Sequence, residues 1–313
     1  MIPSSKIVGR SSAAFTLARA IVKAAPTEAS VLIVGESGTG KEIVARAVHA
    51  RSARSDASFV AINCGAISPS LVESELFGHE KGSFTGASAT TSGCFERAHM
   101  GTLFLDEITE MPMGMQVRLL RILESGEYHR VGGSEQLQVN VRIIAATNRD
   151  PKVAVQEGRF RSDLLYRLAV FPIWVPPLRD RKTDIAYLAQ RFLDELNAQE
   201  STSKHFSAKT IEKLENYDWP GNIRELKNHV TRAFILADDV IDMSPVANAF
   251  RIPAPLAVDG YLKIPVGTSL ETAQHAIVTA TLEHYEGDKR RAALALGISP
   301  KTLYNRLEST RRN

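Results

Sequence analysis

The stretch Gly35-Glu36-Ser37-Gly38-Thr39-Gly40-Lys41-Glu42 follows the apolar run 31–34 and precedes an amphipathic segment that reaches His49. This order predicts a strand, a glycine-rich turn and a helix, and the spacing of Gly35, Gly40 and Lys41 matches a phosphate-binding loop. Glycines allow successive backbone N–H groups to surround phosphate oxygens, while Lys41 and the helix N-terminus add positive charge. The alternative is a glycine-rich turn that only packs. Glu42 replaces the hydroxyl that the motif offers to Mg²⁺, so the metal would need other ligands.

Bulk composition excludes several classes of protein. With 313 residues, of which 44% are apolar and 23% charged, the chain is long enough for two or three globular domains. No apolar run reaches the ~18 residues of a membrane span, and the N-terminus has no secretion-signal pattern. Two cysteines, Cys64 and Cys94, are too few for a disulfide framework or a metal cluster. We therefore expect a cytoplasmic protein without membrane contact.

Charge is distributed unevenly along the chain. The net charge is +3, but residues 289–313 carry seven Lys and Arg against Glu308, a local charge of +6, and the rest of the chain sums to −3. A basic end on a mildly acidic body favours contact with a polyanion. A solvated basic tail is the alternative.

The periodicity of apolar residues predicts an α/β core followed by helical segments. Strands are expected at 31–34, 59–62, 102–105 and 141–146, and helices at 12–25, 42–50, 70–77, 112–123 and 151–157. Short continuous apolar strands that alternate with helices imply a parallel sheet covered on both faces. Residues 181–239 show three helices and no strand signal, and 242–267 are proline-rich. The expected domains are therefore an α/β core (1–178), a helical lid (179–240), a linker (241–268) and a small all-α domain (269–313).

Two strand ends carry candidate catalytic groups. Asp106 and Glu107 close the apolar run 102–105, which in phosphate-loop ATPases places one carboxylate on Mg²⁺ and the next beside the attacking water. We predict Asp106 as metal ligand and Glu107 as general base; solvated strand-end acids are the alternative. Asn148 follows the run 143–146, and its amide could hydrogen-bond both the γ-phosphate and the water. Asn as a turn former is the alternative there.

These features together resemble the AAA+ ATPases, with ATP and Mg²⁺ as implied cofactors. The stretch 75–87, which ends in Gly82-Ser83-Phe84-Thr85-Gly86-Ala87, further resembles the signature loop of bacterial enhancer-binding proteins, the activators of sigma-54 RNA polymerase. A hydrophobic residue such as Phe84 on a glycine-flanked tip suits a partner better than a core. An ordinary hairpin tip is the alternative. Ser83 stands where this family usually has Ala, and His99-Met100 where it generally has paired glycines.

The resemblance carries further roles to matching positions. Asn63 corresponds to the residue that holds the catalytic glutamate away from water, and Arg224 to the lid arginine that senses nucleotide. Arg161 and Arg167 correspond to arginines presented to the ATP of a neighbouring subunit, so the resemblance implies a homo-oligomer, a hexamer as in the family. Surface salt bridges are the alternative for that pair. Val8 and Gly9 correspond to the segment that lines adenine, and Gly132-Gly133 to a second surface loop.

The C-terminal segment fits double-stranded DNA. Gly297 separates two apolar-faced helices, and Ser299 can cap the second. Lys301, Thr302, Asn305 and Arg306 remain outside, and these are residue types that contact phosphates and base edges. The segment resembles the Fis-type helix-turn-helix of the same family, with 269–285 as a dimerising helix. A generic helix hairpin is the alternative.

The leading hypothesis is an ATP-driven activator of sigma-54 RNA polymerase. A nucleotide-switched DNA-binding repressor, and a replication initiator or helicase loader, are the rivals, and the signature loop argues against both. The sequence before Ile7 leaves no room for a receiver or ligand-sensing domain. We therefore expect either a regulatory protein acting in trans or a chain that is a fragment.

Overall fold

A computed structural model describes residues 9–66, 69–84, 87–242, 256–258, 261–264, 267–285, 287–299 and 302–303. The chain divides into two compact units, Met1–Asp242 and Met243–Asn313. Val8, Thr85, Gly86, Lys301, Asn305 and Arg306, all predicted site residues, lie outside the described residues.

The first unit alternates strands and helices. Its strands are β1 (Val31–Val34), β2 (Phe59–Asn63), β3 (Thr102–Asp106), β4 (Glu127–His129), β5 (Gln136–Gln138), β6 (Arg142–Thr147), β7 (Phe171–Trp174), β8 (His205–Phe206) and β9 (Val240–Ile241). Its helices are α1 (Ser12–Ala24), α2 (Lys41–His49), α3 (Pro69–Phe77), α4 (Cys94–Arg97), α5 (Met113–Ser125), α6 (Pro151–Gln156), α7 (Ser162–Leu168), α8 (Ile185–Glu200), α9 (Ala208–Asn216) and α10 (Asn222–Leu236). Short 3₁₀ segments span Ile108–Glu110 and Leu178–Asp184.

A five-stranded parallel sheet in the order β2-β3-β6-β1-β7 forms the centre of this unit. Every residue of β1 and β6 is buried, in agreement with the continuous apolar runs 31–34 and 143–146 where a half-exposed strand would alternate. Val31 and Ile33 pack against α1 and α2 on one face, whereas Leu32 and Val34 join the core under α3, α5 and α7 on the other. The predicted α/β core is confirmed.

The fifth strand was not predicted. Pro172 lies inside β7, and a proline lacks the N–H that a central strand needs. β7 pairs only with β1 and lies at the sheet edge, where the missing donor is tolerated.

The lid contains α8, α9 and α10, as predicted. The expectation of no strand between 181 and 239 is wrong, because β8 pairs in parallel with β9 through His205 and Phe206. β8 is fixed by hydrogen bonds to residues far away in the sequence, such as that from the His205 N–H to the Asp239 carbonyl. Its two residues are too few to show the period of a strand.

The second unit has a small helical core. Val278 of α11 (Leu270–His284) and Ala292 and Ala293 of α12 (Lys289–Ala295) form one buried cluster with Leu303, which follows α12. An antiparallel pair, β10 (Leu256–Val258) with β11 (Tyr261–Lys263), lies within the predicted linker and was missed. No helix among the described residues is long and apolar enough to cross a membrane.

Candidate functional site

The parallel sheet brings three predicted groups to one edge. Val34 pairs with Thr147, and Leu105 pairs with Ala145, so β1, β3 and β6 end side by side. The phosphate loop and Asn148 follow β1 and β6 directly, and the acid pair consists of the last residue of β3 and the residue after it. The carboxyl edge of a parallel sheet is the usual location of ligand sites in open α/β folds.

The carbonyl oxygens of the phosphate loop are all engaged. Lys41 Nζ donates to the carbonyls of Gly35 (2.8 Å) and Glu36 (3.1 Å), and Val44 N–H donates to that of Gly40. The remaining three carbonyls accept from the lid: Ser37 from Asn222 Nδ2 (3.0 Å), Gly38 from Arg224 N–H (3.3 Å) and Thr39 from Arg181 Nη2 (3.3 Å). Within the described chain, the N–H groups of Glu36, Ser37, Gly38 and Gly40 have no acceptor. A loop with bound carbonyls and free amides is suited to an anion.

Glycine is required where the lid approaches the loop. A Cβ at Gly38, whose φ is +76°, would lie 2.3 Å from the Gly221 carbonyl oxygen. Arg224 Nη1 also donates to Ser37 Oγ at 3.1 Å. The predicted lid arginine, Arg224, therefore contacts the phosphate loop directly.

Lys41 lies in a nearly closed environment, with 9% of its surface exposed. Burial lowers the pKa of its ammonium, whereas the nearby charges of Asp106 and Glu107 raise it. A desolvated cation beside free amides is well placed for phosphate oxygens.

The acid pair occupies a strained turn. Asp106 is half-buried and accepts the Glu107 N–H at 3.0 Å; burial raises the pKa of its carboxyl, and that hydrogen bond opposes the rise. Glu107 has a left-handed backbone (φ +52°), which is uncommon for a residue with a side chain. Such strain clusters at functional sites because the surrounding structure must hold it in place.

Asn63 lies next to this pair at the end of β2, in register with Asp106. Its Oδ1 accepts the N–H groups of Gly65 and Ala66, both at 2.9 Å. A Cβ at Gly65 would lie 2.6 Å from Glu107 Oε2, so the glutamate reaches the turn that Asn63 fixes. No hydrogen bond joins Asn63 to Glu107 among the described side chains.

The residues present fit a nucleoside phosphate with Mg²⁺. The Glu42 carboxylate binds Arg46 at 2.7 Å along α2 and is half-exposed, so Asp106 is the acid that the site offers to a metal. Mg²⁺ commonly uses one or two carboxylates and completes its shell with water and phosphate oxygens. Accordingly, the described residues contain no cluster of three or more His, Cys, Asp or Glu that could hold a metal alone. Asn148 is exposed at the same edge.

A cavity of about 200 Å³ adjoins the loop at Thr39 and Gly40, between α1, α2, α8 and α10. Its apolar walls include Leu17, Ile43, Leu188, Phe192 and Ile223. Gly9 lies near the start of α1, where a Cβ would be 2.7 Å from Asp184 Oδ2. Asp184 in turn accepts the N–H groups of Arg10 and Ser11, which ties the segment before α1 to the lid.

Arg161 and Arg167 do not contact the phosphate loop of their own chain. Arg161 forms a two-point ion pair with Asp163 (2.6 and 3.0 Å), and Arg167 donates to the Leu123 carbonyl at 2.7 Å. Both guanidinium groups are on the surface around α7, so they remain accessible to another molecule.

A base of paired side chains lies beside the loop 82–87; its members are His79, Glu80, Glu96 and Arg130. Phe84 is 41% exposed, and its ring centroid lies 4.9 Å from that of His79. Within this base, Arg130 binds Glu80 (2.8 Å) and Glu96 (2.7 Å). The predicted second loop is a hairpin of β4 and β5, whose Gly132 packs against Ser83. Ser83 Oγ is buried without a hydrogen-bond partner among the described atoms.

At the C-terminus, Ser299 Oγ accepts the Thr302 N–H at 3.1 Å, as expected for a helix cap. Leu303 is buried and Thr302 is exposed. The exposure of Thr302 agrees with the prediction that it remains outside, and Leu303 supplies part of the apolar face.

Three residues of this site were missed from the sequence: Arg179, Arg181 and Asn222. Asn222 ends the turn Trp219-Pro220-Gly221-Asn222, two residues before the predicted lid arginine Arg224. The signal that could have found it is an asparagine after Pro-Gly at a helix start. Nothing in the spacing of Arg179 or Arg181 relates them to a loop more than 130 residues away.

Three family models match consecutive parts of the chain. One described as Sigma-54 interaction domain matches residues 7–174, one described as AAA+ ATPase lid domain matches 179–255, and one described as Bacterial regulatory protein, Fis family, matches 269–309.

Similar proteins include regulatory protein AtoC of Escherichia coli (strain K12), 44% identical over 96% of this chain, and the Nif-specific regulatory protein of Rhodobacter capsulatus, 52% identical over 75% of it. The chain spans 67% of the former and 41% of the latter, so these relatives are longer. Among solved structures, NtrX from Brucella abortus matches with a TM-score of 0.77 at 34% identity, covering 97% of this chain and 69% of that one. NtrX in complex with ATP matches with a TM-score of 0.74 at 33% identity, over 97% of this chain and 69% of that one.

Proposed function

Because the chain belongs to the family of bacterial transcription regulators with a sigma-54 interaction domain, we propose that it hydrolyses ATP to remodel sigma-54 RNA polymerase. The enzyme would be anchored on upstream DNA by its C-terminal helices. Hydrolysis would move the loop 82–87 against the polymerase and convert its closed promoter complex toward the melted one.

The observation that carries this proposal is the state of the phosphate loop. Six carbonyls are bound, four amides are free, and Lys41 lies beside them. The acid pair follows the strand two positions away in the sheet order. This arrangement suits a nucleoside triphosphate, and the similar NtrX was solved in complex with ATP.

We assign the roles of the cis residues from this geometry together with the family resemblance, which supplies the roles of Asn63, Val8 and Gly9. The free amides and Lys41 bind the β- and γ-phosphates, and the apolar cavity beside Thr39 receives the adenine with the segment of Val8 and Gly9. Asp106 would hold Mg²⁺, which would supply positive charge to neutralise the phosphate oxygens. Glu107 accepts the proton of the attacking water, Asn148 orients that water, and Asn63 controls the position of Glu107.

The site is completed by a neighbouring subunit in this proposal. Among the described residues, the guanidinium groups of Arg161 and Arg167 bind Asp163 and the Leu123 carbonyl rather than their own phosphate loop. A guanidinium supplied in trans stabilises the charge of the transferring phosphoryl group and can increase the rate by about 10³-fold or more. A homo-oligomer, which we take to be a hexamer, would place these arginines at each ATP.

The partners follow from the other exposed surfaces. Sigma-54 would contact the loop Gly82, Ser83, Phe84, Thr85, Gly86 and Ala87. Phe84 and Thr85 would be the central side chains of this contact. Lys301, Thr302, Asn305 and Arg306 would contact double-stranded DNA, in agreement with the Fis-family match. Control by a regulatory protein in trans is part of the same proposal.

The test is to trap the purified chain with ADP and a metal-fluoride mimic of the γ-phosphate, then measure co-migration with isolated sigma-54. We expect a complex that requires the trap and disappears in Thr85→Ala. Robust, concentration-dependent ATPase activity without any complex would show that the motor acts on a different target.

A further inference from the structure

The lid contacts the phosphate loop through side chains that have no role in the scheme above. Arg179 Nη1 and Nη2 bind both oxygens of Glu36 at 2.8 and 2.5 Å. Asn222 Nδ2 lies 3.2 Å from Glu36 Oε2 and 3.0 Å from the Ser37 carbonyl oxygen. Arg181 Nη2 reaches the Thr39 carbonyl. We call this group of contacts the lid–loop junction.

Asn222 is fixed at the centre of the junction. It is fully buried, and its backbone has a φ of +54°, a region that Asn tolerates better than most residues. Its Oδ1 accepts the Leu178 N–H at 2.8 Å while its Nδ2 donates to the loop. The hydrogen bond from the lid backbone therefore fixes the orientation of the Asn222 side-chain amide, and this amide in turn binds the phosphate loop.

Binding a carbonyl also orients the next amide. A peptide unit is planar and trans, so the carbonyl of one residue and the N–H of the following residue point in opposite directions. Asn222 holds the Ser37 carbonyl outward and thus directs the Gly38 N–H inward. In the same way, Arg181 binds the Thr39 carbonyl and thus directs the Gly40 N–H inward. Both of these N–H groups are free of acceptors within the described structure.

The remaining free amides are set without the lid. Lys41 binds the carbonyls of Gly35 and Glu36, which precede the N–H groups of Glu36 and Ser37. Lys41 exchanges these carbonyls for phosphate when it binds nucleotide in the proposed scheme, whereas the lid contacts lie on the outer side and need not break. The lid contacts can therefore persist in the bound state.

We infer that Asn222, supported by the Glu36–Arg179 ion pair and by Arg181, is a positioning residue through which the lid aims the Gly38 and Gly40 N–H groups at the phosphates of a nucleotide. The inference rests on the proposed function, since it requires that this loop binds nucleoside phosphates. It makes nucleotide affinity depend on the lid, while the chemical step depends on Asp106 and Glu107.

The decisive variant is Asn222→Asp. It keeps the shape and the acceptor for Leu178, removes the donor to Ser37 and places a carboxylate beside Glu36. We expect the dissociation constant for a fluorescent ADP to rise about tenfold or more, as for a lost hydrogen bond combined with like-charge repulsion. The value of kcat at saturating ATP should stay within about twofold, because binding rather than chemistry is affected.

A double-mutant cycle tests the ion pair and does not depend on how well Asn222→Asp folds. Glu36→Gln and Arg179→Gln should each weaken ADP binding about threefold, as expected for an exposed pair, and the double variant should lose no more than either single one. Additive losses would mean that Arg179 contacts the nucleotide itself and would overturn its assignment as a positioning residue. Glu157→Gln, which breaks a comparable surface pair with Arg159 (3.4 Å), is the matched control and should leave affinity unchanged.

The outcomes separate the inference from the function it rests on. Wild-type protein that fails to bind ADP would contradict the proposed function. Wild-type binding combined with unchanged affinity in Asn222→Asp and Glu36→Gln, at unchanged melting temperature of the free proteins, would overturn the inference alone. Should Asn222→Asp melt early, unchanged affinity in Glu36→Gln still decides against it.

Discussion

The phosphate loop and the loop 82–87 belong to the same compact unit but are constructed differently. The first has all its carbonyls bound and is covered by lid side chains, with Lys41 only 9% exposed. The second is closed by the Gly82 N–H to Ala87 carbonyl bond and carries Phe84 at 41% exposure. Fixed amides suit a small anion of defined shape, whereas an exposed aromatic side chain suits a macromolecular surface.

Glu107→Gln should have the largest effect and act on the first region alone. The amide keeps the size of the side chain but cannot accept the proton, so ATP turnover should fall by about 10²- to 10⁴-fold. ADP binding should be retained, since the loop amides and Lys41 are unchanged. Steady-state ATPase activity and ADP affinity measure the two effects, and normal turnover would exclude Glu107 as the general base.

Phe84→Ala should act on the second region alone. Loss of the exposed ring should abolish activation of transcription from a sigma-54 promoter in vitro while ATPase activity stays within about twofold. Phe15→Ala is a matched control, because Phe15 is an exposed aromatic residue on α1, 62% exposed. Equal loss of ATPase activity and activation in Phe84→Ala would show that the two regions are not separable.

As the pH falls, the stability of the lid should decrease before that of the paired side chains beside the loop 82–87. Burial lowers the pKa of His229 to about 4, with the Arg232 charge contributing, so the unfolded chain binds more protons than the folded one between pH 6.5 and about 4. Stability should therefore fall as pH falls through this window, by about 2–3 kcal/mol in total.

The paired side chains beside the loop 82–87 should lose stability only at lower pH. Arg130 lowers the pKa of Glu96, so that contribution is present above the unfolded pKa of 4.5 and is lost only below it. Thermal unfolding at pH 7 and pH 5 measures the difference. His229→Leu should remove most of the dependence, and an unchanged pH profile in that variant would assign the effect to other groups.

Among these changes, Arg130→Ala should have the smallest effect on stability and activity. Its pairs with Glu80 and Glu96 are partly exposed, so the loss of stability should be about 1 kcal/mol. The looser base should reduce sigma-54 binding more than ATP turnover. Chemical unfolding and the trapped-complex assay measure these outcomes, and a larger drop in turnover than in binding would contradict the separation of the regions.

Much of this molecule follows from local sequence. The phosphate loop, the parallel α/β core, the helical lid and the acid pair at Asp106 and Glu107 are visible as spacing and apolar runs. This is because a buried strand and an amphipathic helix must each repeat their apolar residues with their own period. The family match confirms the resemblance found in residues 75–87.

Other features could not be found in this way. β7 was missed because Pro172 contradicts a central strand, and only the sheet order shows that it lies at an edge. β8 and β10 are too short to have a period. The left-handed backbone of Glu107 leaves no mark in the sequence, since a positive φ at a residue with a side chain is held by the surrounding structure.

The sequence alone therefore predicted which residues would bind phosphate, hold a metal and accept a proton, since those abilities belong to residue types at fixed spacing. The tertiary structure decided how the loop is held. Asn222 meets Ser37 across 185 residues of chain, and Arg179 meets Glu36 across 143. Such contacts depend on how the lid packs on the sheet edge, which is a property of the whole fold and is not carried by any local pattern.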